Sequence, residues 1–166
     1  MSTLNRTDAP PAPVPTAPRP TPLETALHLA AEPTRWRPHV DFDPDRRYFR
    51  LLVADRHHEA WLLTWLPGQG TDWHDHGGSG GALVLLQGAL VERSAVHGVV
   101  RGSRQIHRRG SHRAFGPDHV HRVTNEGPDP AISLHVYAPR LQVQHDYLNE
   151  DGILRRISTR RAGQDW

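Results

Sequence analysis

The sequence predicts an all-β protein: an antiparallel sandwich or barrel with one short helical segment ahead of it. Three observations lead there. Beyond residue 46 the apolar residues alternate with a period near two, the β-rich runs are short, and Gly, Pro, Asn or Asp falls between them. Many short strands separated by turn signals belong to sandwiches and barrels. A chain of 166 residues suits one domain of this kind.

In chain order, seven of the fifteen prolines lie between Pro10 and Pro22, among Ala and Thr. Such a stretch forms neither a helix nor a central strand, so residues 1–22 are expected to be an extended, disordered arm outside the fold. Thr21 to Glu24 (TPLE) has the capping-box spacing with Pro at the first helical position, and Leu23, Leu27 and Ala30 share one face until Pro33 stops the run. One short amphipathic helix is expected there. Strands are expected at Tyr48 to Ala54, Ala60 to Leu66, Ala82 to Gly88, Ala89 to Val96, His121 to Asn125 and Ala131 to Ala138. The domain then spans residues 23–157, and Ser158 to Trp166 reads as a polar, frayed tail.

Composition narrows the chemistry. With no cysteine, a disulfide framework, a thiolate metal site and a thiol nucleophile are all excluded, so any metal is held by His and carboxylates. The net charge of +2 is small, and the Arg-rich stretch Arg101 to Arg113 (RGSRQIHRRGSHR) has no interleaved aromatics, so a solvated hairpin is expected there and no nucleic-acid partner. No apolar run has the length of a membrane span and the N-terminus has no signal-peptide core; a soluble, cytoplasmic protein, a monomer with no membrane partner, is the expectation.

Residues Trp73 to Gly88 (WHDHGGSGGALVLLQG) place His74 and His76 one residue apart ahead of an apolar strand. With 13 histidines in 166 residues, chance supplies on the order of one His-x-His, so the dipeptide carries little by itself. On a strand, however, residues two apart point to one face, so both imidazoles can aim into a barrel while Asp75 points away. The chain holds a second pair, His119 and His121. His121 opens a strand-like run and is the candidate third ligand, with His119, beside a turn, as the substitute. The bland alternative for each is a surface histidine.

The glycine frame changes the odds. Gly68 lies six residues before His74 and Gly88 twelve after His76, which resembles the first motif of the cupin superfamily, a jelly-roll-like antiparallel β-barrel. The position where most cupins carry a glutamate ligand is Gly81. The second cupin motif is matched in part: Gly110, His121 and Asn125 stand in register, whereas its internal Pro and Gly positions hold Gly116 and Asp118, with Pro117 one place late. The implied site has three histidines and no carboxylate. It leaves the charge of a divalent ion uncompensated and favours an anionic, soft, chelating substrate such as a thiolate.

Two further segments narrow the resemblance to the cysteine dioxygenases, the thiol dioxygenase branch of the cupins. Ser133 to Tyr137 (SLHVY) resembles their Ser-Leu-His-x-Tyr signature, and Tyr48 to Val53 (YFRLLV) resembles the segment bearing the arginine that binds the substrate carboxylate. The match covers roughly residues 46 to 140, with four segments in the family's order. It implies that His74, His76 and His121 bind Fe(II) and that Arg50 pairs with the substrate carboxylate. It implies also that Tyr137 places its hydroxyl by the bound substrate, that His135 and Ser133 orient that hydroxyl, and that Tyr48 lines the pocket beside Arg50. Set against these roles, Tyr137 and His135 are interior polar residues that satisfy each other, and Arg50 is a surface ion-pair residue. Animal members carry a cysteine cross-linked to the tyrosine; its position here is again Gly81, so that thioether cannot form, and bacterial members often have glycine there. Tyr137 to Pro139 (YAP) resembles the Tyr-Ser-Pro of arginine-type members, whose bond before Pro is cis; sequence alone leaves this open for Ala138 and Pro139.

The expected function is therefore a non-haem Fe(II) thiol dioxygenase of the bacterial, arginine type, oxidising L-cysteine with O2 to cysteine sulfinate. The alternatives are a 3-mercaptopropionate dioxygenase, whose members usually have glutamine in place of the arginine, a non-catalytic metal-binding cupin module, and a basic interaction protein using the Arg-rich segment.

Overall fold

The computed structural model describes residues 19–162. Residues 1–18 of the expected arm and 163–166 of the expected tail lie outside the described residues.

The capping box forms as its spacing requires. The Thr21 hydroxyl accepts from the Glu24 N–H at 3.2 Å, and the Glu24 carboxylate accepts from the Thr21 N–H at 2.7 Å. Helix α1 (Pro22–Ala30) follows. Its inward stripe is centred on Ala26 and Leu29, so Leu27, expected on that face, is 40% exposed. Pro33 ends this helix and opens a short second one, α2 (Pro33–Trp36), which runs into a 3-10 turn at Arg37–His39.

Eleven strands follow among the described residues: β1 (Phe49–Ala54), β2 (Glu59–Trp65), β3 (Trp73–His74), β4 (Gly80–Gln87), β5 (Ala89–Val96), β6 (Val99–Arg108), β7 (His112–Phe115), β8 (Val120–Thr124), β9 (Ala131–Ala138), β10 (Val143–Glu150) and β11 (Ile153–Arg161). They form an antiparallel sheet in the order β1-β2-β9-β4-β7 and a second set, β10-β11-β6-β5-β8-β3, that closes on itself. This is the all-β architecture that the alternation predicts. All six expected strands are present, within two residues of their expected ends.

The five-stranded sheet shows why those strands were legible. Ala60, Leu62, Ala82, Val84, Leu134 and Val136 face α1 and α2, while Trp61, Leu63, Trp65, Leu85, Ala131 and Tyr137 face the barrel interior. Both faces are buried, so the central strands are predominantly apolar. Gly88 makes the abrupt step from β4 to β5 with φ +73°, and a Cβ there would lie 2.7 Å from the Pro130 carbonyl oxygen.

Five strands carry no such signal. β3 has two residues, β6 has one buried side chain, His107, and β11 has one, Leu154. Two expectations are corrected here. Ser158 to Arg161 are not a frayed tail but the end of β11, paired with β10 through Ser158 and Asp146 and anchored where the Arg160 guanidinium donates to the buried Asp146 carboxylate at 2.7 Å. The Arg-rich stretch is not a self-paired hairpin: β6 pairs with β5 and β7 with β4, so it turns a corner between the two sheets.

Candidate metal centre

His74 ends the short β3, which lies between β8 and β10, with His74 directly opposite His121 of β8. The chain then turns, and Gly77 at φ +57° follows His76 at once; a Cβ there would run into Val143. The turn carries His76 to the same interior point. The three rings lie with centroids 4.6 Å (His74 to His121), 5.0 Å (His76 to His121) and 5.2 Å (His74 to His76) apart, each residue no more than 6% exposed. One nitrogen from each lies within 4.8 Å of the others. Asp75 points elsewhere, as alternation requires, and accepts the Tyr147 hydroxyl at 2.7 Å.

The hydrogen bonds select which nitrogen faces the cluster. His74 Nδ1 lies 2.9 Å from the Asp72 carbonyl oxygen and His121 Nδ1 lies 2.7 Å from Glu92 Oε1, which leaves Nε2 as the remaining donor atom of each ring. His76 has no hydrogen-bond partner at either nitrogen among the described residues, although both are buried. Burial pushes all three imidazoles below the ordinary histidine range, and for His74 and His76 the neighbouring His121 adds to it. Three neutral, converging, partly orphaned imidazoles fit a divalent metal ion, which takes lone pairs that buried imidazoles otherwise leave unused. Glu92, His119 and His121 also lie together, but at 2.7 to 2.8 Å their contacts are hydrogen bonds. His119 spends its Nε2 on Glu92 and does not displace His121.

His135 and Ser133, on the inner face of β9, form a hydrogen-bonded line with Tyr137: Trp65 Nε1 donates to Ser133 Oγ at 2.9 Å, Ser133 Oγ lies 2.9 Å from His135 Nε2, and His135 Nδ1 lies 3.5 Å from the Tyr137 hydroxyl. Burial lowers His135 to a pKa of about 3, so it is neutral at physiological pH, and raises the Tyr137 phenol above its ordinary value. Tyr137 reaches the cluster, its ring 5.1 Å from His76. The bond between Ala138 and Pro139 is cis.

Arg50 is not in the site. It is exposed on β1, opposite Leu62, which faces the helices, whereas its neighbour Phe49 faces inward against Trp61. Neither Arg50 nor Tyr48 lines the small cavity that His74, His121, His135 and Tyr137 share; Arg47 does. Arg47 lies ahead of β1, in the segment where the Tyr48 carbonyl oxygen accepts from the Thr64 N–H at 3.0 Å. The Arg47 guanidinium sits 4.9 Å above the Trp65 ring, its Nε is buried with no hydrogen-bond partner among the described residues, and burial lowers its pKa to about 10. Arg50 is on the surface, though without the expected ion pair among the described residues, and the inward arginine is one that motif matching passes over.

Phe115 and Glu92 are the other residues missed from sequence. Gly81 stands directly opposite Tyr137 in the ladder between β4 and β9. A Cβ on Gly81 would lie 2.7 Å from the Phe115 ring and 2.7 Å from the Val136 carbonyl oxygen. Phe115 fills the space a larger residue would need and stacks on His76 at 4.9 Å and 26°. Gly81→Cys is therefore expected to cost about 1–3 kcal/mol by overpacking, measured by urea unfolding, with Phe115→Ala in the same chain recovering part of the loss. Stability equal to wild type would mean that the ring yields freely.

An antiparallel barrel of two strand sets with three imidazoles converging on its inner wall defines a metal-dependent cupin. The fold is similar to that of an uncharacterized double-stranded β-helix protein from Klebsiella pneumoniae (TM-score 0.55, 16% identity, 74% of this chain and 93% of that one) and of a cupin superfamily protein from Desulfitobacterium hafniense (TM-score 0.51, 14% identity, 75% and 94%). Within that class the chain belongs to the cysteine dioxygenase type I family, whose sequence model matches residues 24–150. Human cysteine dioxygenase type 1 is 30% identical over 139 residues, covering 77% of this chain and 68% of the human protein, and the Danio rerio enzyme is 32% identical over 123 residues, covering 68% and 61%. The protein is an iron-dependent dioxygenase acting on a thiol and O2, which sets aside the non-catalytic module. No helix among the described residues is long and apolar enough to cross a membrane.

Proposed function

We propose that this protein oxidises L-cysteine to cysteine sulfinate. The observation that carries the proposal is the buried, unpartnered Arg47 Nε in the cavity bounded by His74 and His121. A buried guanidinium without an anion is costly, and a substrate carboxylate is the anion that fits its planar fork. His74, His76 and His121 would hold iron(II), which would supply the redox and Lewis-acid chemistry of thiol oxidation.

The chain's own groups do the rest. Arg47 holds the carboxylate, so that the thiol end of a molecule as short as cysteine falls by the three imidazoles. The Trp65 N–H can only donate, so Ser133 Oγ accepts from it and donates its own O–H to His135 Nε2. His135 then carries its proton on Nδ1, facing the Tyr137 oxygen, and the Tyr137 phenol carries its own proton. Because burial raises the phenol, that proton stays in place at neutral pH. Leu63, Trp65 and Val123 wall the cavity with apolar surface that strengthens each of these contacts. The reaction balances without a reductant: the thiol sulfur gives four electrons to O2, both oxygen atoms end on sulfur, and one proton is released.

The test is oxygen uptake by the Fe(II)-loaded protein with L-cysteine and, separately, 3-mercaptopropionate, with mass detection of each sulfinate. Preference for cysteine supports the proposal. Preference for 3-mercaptopropionate moves the substrate and keeps the site.

A further inference from the structure

We propose that Glu92 is a positioning residue for the metal centre: its carboxylate holds the Nδ1–H of His121, so that Nε2 of that ring faces His74 and His76. The inference rests on His121 being an iron ligand. Glu92 lies on β5 at 1% exposure, and both of its oxygens are fully used. Oε1 accepts from His121 Nδ1 at 2.7 Å and from His119 Nε2 at 2.8 Å; Oε2 accepts from His107 Nε2 at 2.7 Å and from Arg113 at 2.8 Å. The strand order makes this convergence unavoidable. β5 lies between β6 and β8, with Ser94 opposite His121 and Leu90 opposite His107, so both histidines are diagonal neighbours of Glu92.

A carboxylate this deep is tolerated only when hydrogen-bonded or paired, and four donors supply that. Two of them, His107 and Arg113, come from the Arg-rich stretch that the sequence presents as a solvated hairpin. That stretch thus has an interior purpose: it clamps one oxygen of Glu92 so that the other stays aimed at His121 and His119. The consequence for the metal follows from the donor set. Three imidazoles bring no negative charge, and Glu92 places one a single ring away, where it both fixes the tautomer of His121 and makes its Nε2 a stronger donor.

The alternative is that Glu92 only ties β5 to β6, β7 and β8. Anaerobic Fe(II) affinity, measured by chelator competition on wild type and Glu92→Gln, separates the two, with Co(II) absorption as a second readout of ligand geometry. Glu92→Gln is expected to bind Fe(II) 10- to 100-fold more weakly and to change the Co(II) spectrum while the metal-free protein keeps its circular dichroism. A folded Glu92→Gln that binds iron as tightly as wild type overturns the proposal. Should that variant fail to fold, the metal-free wild type decides: long-range 15N–1H correlation at neutral pH is expected to show His121 protonated on Nδ1, and protonation on Nε2 overturns the proposal. Wild type that binds no iron at all refutes the three-histidine centre itself, a different result from equal binding by the two proteins.

Discussion

If L-cysteine is the substrate and Arg47 its clamp, as proposed, Arg47→Gln is expected to raise KM for L-cysteine by roughly 10- to 150-fold, whereas Arg50→Gln is expected to leave steady-state kinetics within about twofold of wild type. The first figure is the loss of a charge-assisted hydrogen bond to a carboxylate, about 1.5–3 kcal/mol. The second follows from exposure: Arg50 stands on the outer face of β1, and surface substitutions change little. The pair of variants discriminates sharply because the two arginines are three residues apart and face opposite ways. Because Gln retains hydrogen-bonding capacity without charge, Arg47→Gln also reports whether charge or contact holds the carboxylate. Loss of activity in Arg50→Gln with Arg47→Gln unimpaired would return the clamp to the motif position and reject the register of β1.

His76→Leu is the variant with opposite effects on function and fold. Removing one of three ligands is expected to weaken iron binding by more than the 10- to 100-fold typical of an outer partner, and to abolish oxygen uptake. With no metal bound, however, both ring nitrogens of His76 are buried and unsatisfied, which costs about 1–3 kcal/mol. Leucine has a similar volume and no polar atoms, so the metal-free variant is expected to unfold at higher temperature than metal-free wild type, by about 2–4 °C for each kcal/mol. Adding Fe(II) then raises the melting temperature of wild type and leaves that of the variant unchanged, because only a native state that binds the ion gains from it. Calorimetry on the four samples checks this; a variant less stable than wild type without metal would mean that ring packing against Phe115 outweighs the orphaned nitrogens.

The sequence alone determined the all-β class, six strands, the capped helix and the histidines that meet, because each is written in local terms: a period of two, a cap at fixed spacing, a glycine where a turn needs positive φ. Strands β2 and β9 are buried on both faces and mostly apolar, so they announce themselves, and Ser133, His135 and Tyr137 share a face by alternation alone. Where one side of a strand meets solvent and few side chains are buried, as in β6 and β11, the pattern fades, and those strands are set by their neighbours' hydrogen bonds.

Only the tertiary structure decided which arginine enters the cavity, what occupies the space beside Gly81, and where Glu92 directs its charge. The first turns on how the chain enters β1: pairing Phe49 with Leu63 leaves Arg50 outward, while Arg47 reaches the cavity from the segment ahead of the strand, and a motif match does not carry that geometry. The second and third depend on residues distant in the chain, Phe115 against Gly81 and His107, Arg113, His119 and His121 around Glu92. Contacts of that kind exist only once the strands are ordered into a barrel, because the order brings together side chains that no local periodicity relates.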